Sequence, residues 1–145
     1  MYMLKNIGFT VLAIVVAVVV IMVVQQINLI LFPLPEWVDA NNPEHLTQIM
    51  ANLPLGALLM VELSYLLGSL AAGFVLAKAT KRHSLKLILV VGAALTLAGI
   101  ANLLAIPHPA WLAILTTITY IPAVWFASRV VNRNANANAN NSKQE

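Results

Sequence analysis

Cysteine is absent from the 145 residues, which excludes disulfides, thiolate metal sites and thiol catalysis and leaves the redox compartment unread. Charge is scarce: only 9% of the residues are Asp, Glu, Lys or Arg, against about 25% in a soluble domain. Also missing are a Ser nucleophile motif, a phosphate loop, a zinc signature and paired carboxylates. One acid, Glu62, stands inside the apolar run "ALLMVELSYLLGSLAAGF" with no second acid, base or metal cluster near it. Hydrolysis or group transfer therefore lacks its parts. His45 with Glu44 and Asp39 has no diagnostic ligand spacing, so no catalytic residue, no cofactor and no metal is expected.

What is present in excess is apolar side chain, 61% of the chain, with a strongly positive mean hydropathy. A bilayer core roughly 30 Å thick takes about 20 apolar residues per helix. Four stretches qualify: about Ile7 to Phe32, Leu53 to Ala77, Leu85 to Ile106 and Ala110 to Val131. The expected fold is all-α, an integral membrane bundle of four transmembrane helices forming one domain over residues 1–131, with the lipid bilayer as its surroundings. The first run is too long for the apolar core of a signal peptide, which spans about 7 to 15 residues, so it reads as a retained membrane helix. The net charge of +3 does not point to nucleic acid, because the basic residues sit next to membrane segments and no basic fold is left once the helices are assigned.

Lys and Arg near helix ends stay cytoplasmic. Lys5 precedes the first helix; the turn "KATKRHSLK" carries Lys78, Lys81, Arg82 and Lys86; Arg129, Arg133 and Lys143 follow or close the fourth. The connection from Pro33 to Asn52 holds Glu36, Asp39 and Glu44 and no Lys or Arg. Both termini are therefore expected in the cytoplasm of a bacterial cell, with the protein multi-pass in the inner membrane. In the first outer loop Asn42 as cap, Pro43 at the first helical position and Glu44 near the positive helix end predict a short interfacial helix over Pro43 to Asn52. Its apolar Leu46, Ile49, Met50 and Leu53 are placed to lie on lipid or to cap the bundle. Trp37, Trp111 and Trp125 fall where indole anchors at interfaces. The low-complexity run "NRNANANANN" has no apolar face, so residues 132–145 are expected to form a disordered cytoplasmic tail.

A carboxylate at a helix centre costs about 2.5 to 3.5 kcal/mol on insertion scales, and something must offset that. Glu62 falls about eight residues into its helix, roughly 12 Å below the outer interface. At similar depth lie Gln25, Gln26 and Asn28 on the first helix, Asn102 on the third, and Thr116, Thr117, Thr119 and Tyr120 on the fourth. All four helices thus put hydrogen-bonding groups into the outer half. Glu62, Tyr65, Ser69 and Gly73 share one helical stripe, as do Gly92, Leu95, Gly99 and Asn102, and Thr116, Tyr120, Ala123 and Ala127. Ser64, Gly68 and Ala72, and Ala94 with Ala98, repeat small residues at the spacing of close helix contacts. Pro122 frees a carbonyl that is placed to join the polar layer. No Lys, Arg or His lies at the depth of Glu62, so an acid that keeps its proton and donates a hydrogen bond is the default. His108, between two prolines at the outer mouth of the layer, reads either as an interfacial His or as a relay toward Glu62.

The acidic, Pro-rich outer loop followed by "LPLGALL", then "GSLAAGF", the turn "KRH" and "GIANLLAIPHPAW" resembles a group of small four-helix bacterial inner-membrane proteins with no assigned activity. The resemblance covers roughly Pro33 to Val131 and implies a location and no reaction. Small multidrug resistance transporters are also short four-helix proteins, but their essential Glu is in the first helix, where this chain has no acid.

Three functional expectations follow. The first is a non-enzymatic membrane protein, an accessory or structural subunit, whose partner is another membrane protein or a second copy of itself. The alternative is a small proton- or cation-coupled transporter using Glu62, with Gln25, Tyr65, Asn102, Thr116 and Tyr120 along its route. The third is a membrane-embedded enzyme using Glu62 and His108.

Overall fold

The computed structural model describes residues 2–39, 41–80, 84–106 and 108–141. Among these the regular elements are all helices, without strand: α1 (Tyr2–Leu31), α2 (Pro43–Asn52), α3 (Leu55–Thr80), α4 (Leu85–Ala105) and α5 (Ala110–Asn141). All but α2 are long and apolar enough to cross a membrane, over Lys5–Leu31, Leu55–Ala79, Leu85–Ala105 and Ala110–Ala135.

α1 packs along α3, α3 along α5 and α5 along α4, whereas α1 and α4 touch only lightly. The bundle is thus a square with one loose side. Each seam is made by small residues. Gly68 faces α1, where an added Cβ would fall 2.9 Å from the Ala17 carbonyl oxygen and 2.6 Å from Ile21 Cγ1. Ser64 and Ala72, one helical repeat to either side, are fully buried, as are Ala13 and Ala17 of α1. Gly73 lies so close to α5 that a Cβ would collide with the Val124 carbonyl oxygen. On α4, Gly92 accepts Ile121 and Gly99 accepts the Tyr120 ring. Without a solvent-driven hydrophobic effect between helices, such backbone proximity is what holds a membrane bundle together. The expected Ala94 and Ala98 pair does not act this way: Ala98 is exposed on the loose α1 and α4 side, and the glycines of α4 make the close contacts.

The outer surface is the inverse of a soluble protein's. Leu104 is 83% exposed and Ile30 78% exposed, with Ile7, Met22, Leu97 and Ile114 all above half. A contiguous apolar exterior of this kind is stable in lipid and not in water. Short connections make successive membrane helices antiparallel, which puts Lys5, Lys78, Lys86 and Arg129 at one end of the bundle and Glu36, Asp39 and Glu44 at the other. Two of these cations lie on aromatic faces, Arg129 at 4.9 Å from the Trp125 ring and Lys78 at 5.7 Å from Phe74. Lys81, Arg82 and Lys143, which belong to the same charge pattern, lie outside the described residues.

α2 forms where its signals are. The Asn42 side chain accepts from the Glu44 backbone N–H at 2.9 Å, and Pro43 occupies the first turn. Asp39 Oδ1 accepts from the Asn41 N–H at 2.9 Å, turning the chain into the cap, and Trp37 stands edge-on to His45 at 5.5 Å. Ile49 is buried and Met50 lines a cavity of the bundle, so one face of α2 caps the bundle end.

One element differs from expectation. α5 continues to Asn141, so residues 132–141 are helical and not the disordered tail predicted from composition; residues 142–145 lie outside the described set. The composition argument weighed only burial. A helix already nucleated in the membrane gains one hydrogen bond per residue as it elongates, Ala at alternate positions has the highest helix propensity, and Asn132 Nδ2 donates back to the Ser128 carbonyl at 2.8 Å.

Candidate functional site

The polar groups expected to form one layer divide into three clusters, each at a different seam. The first lies between α3 and α5. Glu62, 9% exposed, turns toward α5, where the Thr116 hydroxyl donates to Oε2 at 2.7 Å and the Thr119 hydroxyl lies 2.5 Å from Oε1. Thr116 and Thr119 are three residues apart and so share one helix face. Both oxygens of the carboxyl group are thereby engaged by a neighbouring helix. Thr119 Oγ1 is also 2.9 Å from the Leu115 carbonyl oxygen of its own helix.

The second cluster joins α1 to α3. Gln25 Nε2 donates to Ser64 Oγ at 3.3 Å, and Ser64 in turn donates to the Val61 carbonyl at 2.6 Å. Asn28 Nδ2 lies between the Ala57 carbonyl at 3.2 Å and Gln25 Oε1 at 3.4 Å. Rotating the Asn28 amide would set its oxygen against two acceptors, so the orientation is fixed by its surroundings. Asn28 Oδ1 is left buried without a partner.

The third cluster joins α4 to α3. Asn102 Nδ2 donates to the Tyr65 hydroxyl at 2.8 Å, and the Tyr65 and Tyr120 rings meet at 5.7 Å with a 49° tilt. The Tyr120 ring reaches this position because α4 carries Gly99 there: a Cβ would fall 2.5 Å from the Tyr120 hydroxyl oxygen. His108 stands at the α2 end of this cluster, its Nδ1 at 2.5 Å from the Ile106 carbonyl. A carbonyl only accepts, so Nδ1 carries a hydrogen.

These last residues surround a cavity of about 440 Å³ on the loose side of the bundle, between α1 and α4. Gln25, Tyr65, Asn102, His108 and Tyr120 line it; Glu62 and Thr116 do not. The residues expected along one route thus divide between a clasp on the α3 and α5 seam, Glu62 with Thr116, and an open cavity on the loose side, with Gln25, Tyr65, Asn102 and Tyr120. Glu62 and Tyr65 are only three residues apart, but the roughly 60° between them on the helix directs one at α5 and the other into the cavity. No hydrogen bond joins His108 to Glu62. Pro122 is also placed differently from expectation: it is exposed, in an outward apolar groove with Ile118 and Phe126. The carbonyl it leaves without a helical donor is that of Ile118, in the same outward groove, which Thr119 also lines.

The sequence places Thr119 at the depth of Glu62 but off the Thr116 and Tyr120 stripe, although the three-residue spacing of two hydroxyls is a readable sign of a paired acceptor. Ser64 was read for its size and serves also as a hydrogen-bond bridge. Among the described residues, no three His, Asp or Glu side chains converge as metal ligands would. No family model matches the chain, and no curated protein or solved structure is significantly similar to it.

Proposed function

We propose that the protein is a non-enzymatic, multi-pass component of a bacterial inner membrane that works as an accessory or structural subunit, with both termini cytoplasmic and α2 on the outer interface. The observation that carries this reading is the engagement of both Glu62 oxygens by Thr116 and Thr119, in a seam apart from the cavity. An acid that couples ion movement needs access to two aqueous sides. Here it is tied between two helices.

The hydrogens count in favour of the same reading. One Thr119 proton cannot serve both Glu62 Oε1 and the Leu115 carbonyl. If Glu62 keeps its proton on Oε1 and donates it to Thr119 Oγ1, Thr119 donates to Leu115 and Thr116 donates to Oε2. Each donor then has its own acceptor, and no buried charge needs a counterion. The positive end of the bundle, with Lys5, Lys78, Lys86 and Arg129, supports the cytoplasmic assignment.

Two experiments test the reading. Proteoliposomes carrying the protein and an internal pH dye are expected to leak protons no faster than Glu62→Gln proteoliposomes under an imposed gradient; a flux abolished by Glu62→Gln would establish the transporter instead. Native electrophoresis of gently solubilised membranes is expected to find the chain in an assembly well above its 15.7 kDa, and migration as a monomer would contradict a subunit role.

A further inference from the structure

The cavity between α1 and α4 has the size of a ligand site and the chemistry for one class of ligand. Its volume of about 440 Å³ falls within the roughly 300 to 1,000 Å³ of small-molecule pockets. Its inner end is apolar, with Val18, Ile21 and Leu95, while Asn102 and His108 stand toward the outer end under Met50 of α2. No Asp, Glu, Lys or Arg lines it.

Several polar groups in the cavity have capacity to spare. Tyr65 oxygen accepts from Asn102 Nδ2, so the Tyr65 O–H proton remains available. Among the described residues the Tyr120 hydroxyl donates to no protein acceptor, although its ring is only 2% exposed. Asn102 Oδ1 and the free His108 nitrogen supply acceptors. Buried hydroxyls ordinarily find partners, and here they converge on one space beside an apolar floor. An ionic head would enter without a counterion and lose its hydration. A neutral head would meet two O–H donors and two acceptors.

From these observations we infer that the α1 and α4 cavity binds a neutral amphipathic molecule, a hydroxyl or carbonyl head on an apolar body. It enters sideways from the bilayer, because α1 and α4 are in only light contact. The head lies against Tyr65, Tyr120 and Asn102 and the body against Val18, Ile21 and Leu95. This site is independent of the role given to Glu62.

The test uses the full chain in lipid nanodiscs and a diazirine-bearing fatty alcohol, with labelled residues mapped by mass spectrometry. Saturable labelling of the 18–25 and 95–102 segments is expected, competed by 1-decanol and not by decanoate or decyltrimethylammonium. Ala98→Phe, which places a ring in the exposed cavity side of α4, is expected to abolish labelling there and leave it unchanged at Val11 and Val15 on the lipid face. Tyr120→Phe removes a hydroxyl that holds no other group, so it should weaken 1-decanol competition about threefold to tenfold with the thermal midpoint unchanged. Labelling that does not saturate, that survives Ala98→Phe, or that charged competitors displace equally well would overturn the proposal.

Discussion

Glu62 is held by two hydroxyls of one helix face, so its partners have different capacities and its substitutions should sort accordingly. Glu62→Gln keeps an oxygen for Thr116 and an N–H for Thr119, and unfolding in a bilayer should change by less than about 1 kcal/mol. Glu62→Met keeps the length and loses both bonds, at about 0.6 to 1.7 kcal/mol for each interhelical bond. A Gln variant as unstable as the Met variant would show that charge, and not hydrogen bonding, matters at this site. The acid itself was legible in the sequence because a carboxylate among Leu, Val and Ala demands a partner. Which partner was not. Depth along four helices put Thr116, Tyr120, Asn102 and Gln25 at one level, but their azimuth depends on helix rotation. That rotation is set by contacts such as Gly73 on Val124 and Gly99 on Tyr120, and apolar faces toward lipid and toward protein look alike in composition.

Helix contacts in this bundle depend on backbone proximity at single glycines, and those positions are not equivalent. Gly73→Ala sets a Cβ against the Val124 carbonyl; a main-chain oxygen cannot step aside as a side chain can, so α3 and α5 must separate and the Glu62 clasp with them. Gly8→Ala meets nothing within 4 Å and should stabilise α1 by up to about 1 kcal/mol through propensity alone. Unfolding of the two variants in the same lipid checks this, and similar behaviour of both would contradict the seam as described. Element limits were readable where Pro and Asn punctuate the chain, as at Asn42 and Pro43 or at Pro54. The end of α5 was not, because an Asn and Ala repeat without an apolar face is silent on whether a helix already begun will stop.

Across the whole molecule, the ends of the bundle differ in charge: cations at the end of Lys5, Lys78, Lys86 and Arg129, acids at the end of α2. The absence of Cys makes the orientation directly testable, since a single introduced thiol is the only one present. Asp39→Cys is expected to react with a membrane-impermeant maleimide applied outside spheroplasts, and Arg133→Cys only after the membrane is opened; the reverse pattern would invert the topology. The polar interior of the whole bundle rests on the division into a clasp at Glu62 and a cavity at Tyr65 and Tyr120. The measurement that tests it most directly is a double-mutant cycle between Glu62→Met and Thr116→Val, read as unfolding free energy in a bilayer. A favourable coupling of about 0.6 to 1.7 kcal/mol is the predicted result, and additivity of the two substitutions would contradict it.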